Sequence, residues 1–235
     1  ALRLIGSLNI AVLEQSLTEL LRRHESLRTS FPAVNGVPLQ KISPDMTVSL
    51  PVTDLRHLSP EEQSDDVPRR ITDAARQTFN LSKGPLFRAA LLRLEESSHI
   101  LIVMTHHILV DNWSMKILIR DLFQLYGDLS SGKTPCLPEL PIQFADFSCW
   151  HREWITGDVL ETQLSFWKKQ LAGVPPLLEL PTDRPRPPVQ TYRGGMEHIK
   201  TDAELTARLK TLSQESGMTL FMTVLADFAA LLSLY

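Results

Sequence analysis

Leu13, Leu17, Leu20, His24 and Leu27 recur at steps of four, three, four and three residues, one apolar stripe with a histidine among leucines. Asn9 is placed to cap its start, so the pattern predicts a helix from Asn9 to about His24. Short strand-like runs follow at 37–42 and 48–52. Ser59-Pro60-Glu61-Glu62 combines a capping box with proline at the first helical position. Pro68 lacks an amide hydrogen, which predicts that the helix lies mostly after it, to about Phe79. The apolar runs 86–94 and 98–105 flank a short polar turn and predict a β-hairpin, its second strand buried on both faces.

Beyond the hairpin, Trp113, Ile117, Asp121 and Tyr126, with Leu118, Leu122 and Leu125, predict an amphipathic helix to about Gly127. A proline-punctuated loop covers 132–141, and helices are expected near 144–155 and 159–171. Six prolines between residues 171 and 190 exclude a continuous helix or central strand and predict a stiff, extended crossing. A strand at 196–200 and helices from about Asp202 and Thr219 complete the pattern. Strands mixed with helices predict an α/β or α+β fold. The alternation of Leu2 and Leu4 at one end, and the helical apolar pattern up to Tyr235 at the other, lead us to expect a piece of a longer protein.

At 235 residues the chain is long enough for a sizeable core. Its net charge of −3 provides no electrostatic pull toward nucleic acid or an anionic membrane. No apolar run reaches the roughly 18 residues that span a bilayer, and membrane association is not expected. Cys136 and Cys149 have neither metal-type spacing nor the density of a disulfide scaffold, which favours a reducing, cytoplasmic setting.

Gly127 to Thr134 reads GDLSSGKT, a literal match to the phosphate-loop pattern GxxxxGK[ST]. That motif works only between a strand and a helix N-terminus, where successive N–H groups point at phosphate. Here an amphipathic helix precedes it and Thr134-Pro135 follows, so a helix-end loop is expected instead. The other candidate is THHILVDNWS, residues 105–114. Neighbouring side chains of a strand point to opposite faces, so His106 and His107 cannot both face one cavity while the strand stays regular. This argues against a metal site, and none is expected. One imidazole facing a cavity, with the other inward and Asp111 in the following turn, is suited to taking or holding a proton near neutral pH. A hydrogen-bonded core histidine is the plainer alternative for either ring.

These residues resemble the HHxxxDGxS signature of nonribosomal peptide synthetase condensation domains and of the wider chloramphenicol-acetyltransferase-like superfamily. RHESLRTSF, from Arg23 to Phe31, is similar to the condensation domains' RHExLRTxF motif, and QFADFSCW, from Gln143 to Trp150, to their (Y/F)xDFxxW-type motif. WKKQLAGVPPLLELPTDRPRP and TYRGG resemble their crossing segment, most closely in the subtype joining two L-amino acyl units.

The resemblance implies a lobe of mixed sheet with flanking helices at 1–174, lacking its first elements. A proline-rich crossing at 175–191 and the beginning of a second, similar lobe at 192–235 would follow, in about half a full condensation domain. It implies amide-bond formation between aminoacyl or peptidyl thioesters on phosphopantetheine arms, with no cofactor bound directly. The partners would be upstream and downstream peptidyl carrier proteins and an adjacent adenylation domain. His107 would be the principal catalytic residue, with His106 and Asp111 mainly structural.

Arg23 is the expected partner of a buried Asp111, with Arg28 second; otherwise Arg23 would be a solvated charge at a helix end. His24 is expected as a packed stripe residue. Trp113 and Ser114 would seat the loop and helix start, Ser114 as a cap. Asn112 replaces the family's usual glycine. A stand-alone acyltransferase using an acyl-coenzyme A donor, and a catalytically silent carrier-docking module, are the alternatives.

Overall fold

The computed structural model describes all residues from Ala1 to Tyr235 except Tyr192, Arg193 and Met196. In chain order the elements are β1 (Leu2–Ile5), α1 (Ile10–Arg23), a 3-10 turn (Glu25–Arg28), β2 (Thr29–Ser30), β3 (Ala33–Val34), β4 (Val37–Pro38), β5 (Lys41–Ile42) and β6 (Val52–Asp54). Then come α2 (Pro60–Arg76), β7 (Phe87–Glu95), β8 (Ser98–Thr105), α3 (Asn112–Ser130), α4 (Phe144–Trp154), α5 (Gly157–Gln170), α6 (Ala203–Glu215) and α7 (Leu220–Leu232). The chain divides into two compact units, Ala1–Leu164 and Ser165–Tyr235.

The first unit is built on a four-stranded mixed sheet of order β1-β8-β7-β6, in which only the β6–β7 pair is parallel. Alternate residues of the long hairpin feed two cores. Phe87, Ala89, Leu91 and Leu101 pack with the α1 stripe (Leu13, Leu17, Leu20) and with Leu118, Leu122 and Leu125 of α3. Leu92, Leu94 and Ile102 face the other way, onto Val67, Ile71 and Ala74 of α2. Both faces are therefore covered by helices, which is why the hairpin reads as nearly continuous apolar sequence. The start of α1 is held twice. Asn9 caps it by accepting from the Val12 amide at 3.2 Å, and its own N–H donates to the Tyr126 hydroxyl at 2.9 Å.

Two expectations fail here. α2 runs unbroken from Pro60 and includes Pro68. Its capping box at Ser59 and Glu62 forms as expected, and Pro68 and Ser64 are both exposed, so the Ser64 carbonyl that loses its helical partner turns to water. Residues 48–51 form no ladder. Val48 and Leu50 are buried, and their amides donate to Thr18 Oγ1 at 3.3 Å and Glu14 Oε1 at 2.8 Å. Side chains of α1 thus replace a neighbouring strand, and the alternation there reflects burial alone.

In the second unit, α6 and α7 are capped by Asp202 and Thr219, which accept from the Leu205 and Met222 amides. The pair is pinned by a buried hydrogen bond of 2.7 Å between Ser213 Oγ and Thr223 Oγ1. Of the strand expected at 196–200, Met196 lies outside the described residues, and 197–200 is irregular. No described strand of this unit offers it a ladder. No single described helix is long and apolar enough to cross a membrane.

Candidate active site

The phosphate-loop match is helical where it would need to be a loop. α3 continues through Ser130, the chain then turns at Gly132, and no helix follows until α4. No strand precedes it, so its amides point at no common anion position.

The histidine pair sits where β8 ends. Even-numbered residues of β8 face α2, and His106 continues that alternation. Its ring stands edge-on to Phe79 at 6.2 Å, and its N–H still donates to the Leu86 carbonyl at 3.1 Å. Its Nδ1 accepts from the Ile108 amide at 3.0 Å. A nitrogen that accepts carries no hydrogen, so the neutral His106 ring holds its proton on Nε2 and braces the turn. His107 lies on the opposite side, exposed. It borders a cavity of about 410 Å³ together with His24, Asp111, Ser114, Ile117 and Phe144. No described residue hydrogen-bonds the His107 ring.

All three motifs meet at this cavity. His24 and Ser26 come from the RHESLR stretch, His107 to Asp111 from the histidine motif, and Phe144 from QFADF. Gln143 is the reason two of them adjoin. Its Oε1 accepts from the Glu25 amide at 3.2 Å and its Nε2 donates to the Arg23 carbonyl at 3.0 Å. The start of α4 is thereby fastened to the end of α1.

Asp111 is not the buried partner of an arginine. It is exposed and caps α3, accepting from the Ser114 amide at 2.8 Å and the Ser114 hydroxyl at 2.6 Å. These two bonds from Ser114, the hydroxyl first, hold its carboxyl below the usual aspartate value. Ser114 is therefore the capped residue, not the cap. Asn112 is the first residue of α3, and it is not among the described residues with positive φ; only Asn35 is, glycines aside. Asparagine at the family's glycine position thus needs no left-handed backbone. Trp113 is 73% exposed.

Arg23 reaches Asp121 instead. Its Nε donates to Asp121 Oδ2 at 3.2 Å, and its side chain is only 13% exposed, so it is no solvated helix-end charge. Arg28 donates to the Ser43 carbonyl and to Glu25 Oε1. His24, at the C-cap of α1, places Nε2 at 3.0 Å from the same Asp121 Oδ2, and Arg120 holds Oδ1 at 2.9 and 3.2 Å. Burial favours the neutral acid at Asp121, but donation by Arg120, His24 and Arg23 outweighs it and keeps the carboxyl below its usual value. Sequence reasoning missed this carboxylate. Its signal was present: Asp121 lies on the buried stripe of α3, four residues from Ile117 and beside Leu118 and Leu122. A charge at such a position demands a partner.

Residues 1–235 match the family profile described as Condensation domain. The chain belongs to the condensation-domain family. It is 46% identical over 235 residues to a protein of the linear gramicidin synthase of Brevibacillus parabrevis, covering 100% of this chain and 3% of that protein. Malpinin synthetase of Mortierella alpina is 42% identical over 233 residues, covering 99% of this chain and 3% of its own length. Among solved structures, the X-domain from teicoplanin biosynthesis is 33% identical with a TM-score of 0.85, over 99% of this chain and 51% of that one. The chain therefore spans a small part of these synthetases and about half of that domain. Its mixed sheet with flanking helices is the chloramphenicol-acetyltransferase-like arrangement of such structures.

Proposed function

We propose that the chain is part of a condensation domain that forms amide bonds between carrier-bound aminoacyl or peptidyl thioesters in a nonribosomal peptide synthetase. The observation that carries this reading is the convergence of three separate motifs on one open cavity bordered by the His107 ring. In this reading residues 1–174 belong to the N-terminal lobe, 175–191 cross over, and 192–235 begin the second lobe. The substrates arrive on phosphopantetheine arms of upstream and downstream peptidyl carrier proteins, an adenylation domain lies nearby in the chain, and the setting is cytoplasmic.

The reaction needs a neutral amine. Its nitrogen bonds to the thioester carbonyl carbon, the C–S bond breaks, and the proton shed by nitrogen ends on the released thiol. His107 is the residue assigned to hold or relay that proton, or to steady the charge on the tetrahedral carbon's oxygen. His106 and Asp111 serve it indirectly. The first braces the turn through Ile108, and the second anchors the far end of the loop by capping α3. Gln143 and the Asp121 cluster hold the opposite wall.

The test is replacement of His107 by alanine in the full synthetase, with both carriers loaded. Product formation should fall by about 10²–10⁴-fold, the usual range for removing a proton-transfer group, while the melting temperature stays at the wild-type value. Wild-type rates in that variant would overturn the assignment. A wild-type protein that binds loaded carriers yet forms no amide would be a silent docking module. Turnover with acyl-coenzyme A in place of a loaded donor carrier would identify a stand-alone acyltransferase.

A further inference from the structure

The His24 ring has a hydrogen-bonding capacity that the His107 assignment leaves unused. Its Nε2 is 3.0 Å from Asp121 Oδ2. Asp121 also receives Arg23 at 3.2 Å and Arg120 at 2.9 and 3.2 Å, and its side chain is 1% exposed. A carboxylate held this way only accepts, so the hydrogen of the His24–Asp121 bond sits on Nε2. In the neutral ring the lone pair is then on Nδ1. No described group donates to that atom. It is not sealed in either, because the buried side-chain atoms without a partner among the described residues are Arg28 Nε, Arg93 Nε and His99 Nδ1. His24 lines the His107 cavity.

Burial is the largest influence on His24 and lowers its proton affinity; Arg23 and Arg120 act in the same direction, while Asp121 opposes them. The balance lies below the ordinary histidine value, so the ring is neutral at pH 7. The cavity is thus walled by two imidazoles that differ in kind. That of His107 has no described orienting partner, whereas that of His24 is fixed in one tautomer by a buried carboxylate. A histidine oriented by an aspartate is an arrangement that presents a lone pair in a set direction.

We propose that His24 is a substrate-contacting residue of this cavity, its Nδ1 accepting a hydrogen bond from the α-amino group of the acceptor aminoacyl thioester. The proposal rests on the condensation reading of the same site. The choice of ligand group follows from valence. Of the reacting groups, the thioester carbonyl oxygen and sulfur only accept hydrogen bonds, and the amine alone has N–H to donate. An acceptor held in one direction therefore selects the nucleophile and aims it; it does not bind the electrophile.

The variant that tests this is His24→Gln in the full synthetase. The glutamine amide N–H can still donate to Asp121, but its carbonyl oxygen branches off where the ring's Cδ2–H was, away from the place of Nδ1, so the aimed acceptor is lost. Loss of one such bond should raise KM for the loaded acceptor carrier about tenfold, leaving KM for the donor carrier and the melting temperature unchanged. A wild-type acceptor KM in His24→Gln overturns the proposal. So does an equal rise for donor and acceptor with a lowered melting temperature, which would assign His24 to packing. If His107→Ala is inactive while His24→Gln is normal, only this proposal fails; if the wild-type protein with both carriers loaded forms no amide, the condensation reading fails first.

Discussion

At the scale of single residues, α3 carries two carboxylates in contrasting surroundings. Asp111 stands in solvent, and its partners are its own helix's N-terminal amide and hydroxyl groups at Ser114. Asp121 is buried among Arg23, His24 and Arg120. Both have lowered proton affinity, for different reasons. A carboxyl whose folded value is depressed stabilises the fold above its unfolded value, and that contribution is lost as pH falls through the folded one. For Asp111 the expected outcome is a lower melting temperature in Asp111→Ala and a smaller fall in Asp111→Asn, whose amide oxygen keeps the cap without the charge. The gap between wild type and Asp111→Ala should narrow once the pH drops below the ordinary aspartate range. A gap that persists undiminished in strong acid would show that the cap does not depend on the charge.

Between elements, the Asp121 cluster joins α1 to α3 across the wall of the cavity. Removing one member of a buried pair leaves an uncompensated charge, so Asp121→Ala should destabilise the chain by about 3 kcal/mol in chemical denaturation. A double-mutant cycle between Arg23 and Asp121 should return a coupling of about 1 kcal/mol or more, and one between Arg23 and Asp111 close to zero. The reverse result would restore the Arg23–Asp111 pair expected from the motifs. That pair was plausible in sequence because Asp111 lies in a signature loop, whereas Asp121 lies 98 positions from Arg23 and in none of the three motifs. Pairings at such separation follow from the packing of helices, which periodicity alone does not specify. The same limit explains residues 48–51, where the Val48 and Leu50 amides donate to side chains of α1 rather than to a strand. It also explains Pro68, where the tolerance of the helix depends on which side of α2 meets solvent.

For the whole molecule, the apolar surface is uneven. α4 exposes a ladder of rings: Phe147 stacks on His151 at 5.3 Å and Trp150 on Trp154 at 5.4 Å, with Phe144 beside them. In the other unit α7 exposes Phe221 and Phe228. Contiguous apolar patches of this kind are rare on free monomers, and a net charge of −3 is a weak barrier to association. The 235-residue chain on its own should therefore self-associate with rising concentration in sedimentation velocity experiments, and a Phe147→Glu, Trp150→Glu double variant should shift it toward monomer. A wild-type chain that stays monomeric throughout would show that these rings are too dispersed to drive association.

By itself the sequence determined where most of the helices and the hairpin run, α2 excepted, because the 3.6-residue and two-residue periods are local and survive in one dimension. It also marked the histidine pair, although β8 ends at Thr105 and the turn that sets His107 beside the cavity lies beyond the strand's alternation. Tertiary structure alone decided which charges meet. The packing of α1 against α3 brings Arg23 and His24 to Asp121, and Gln143 fastens the start of α4 to the end of α1. Electrostatic partners are chosen by distance in space, and a chain's order records that distance only for near neighbours.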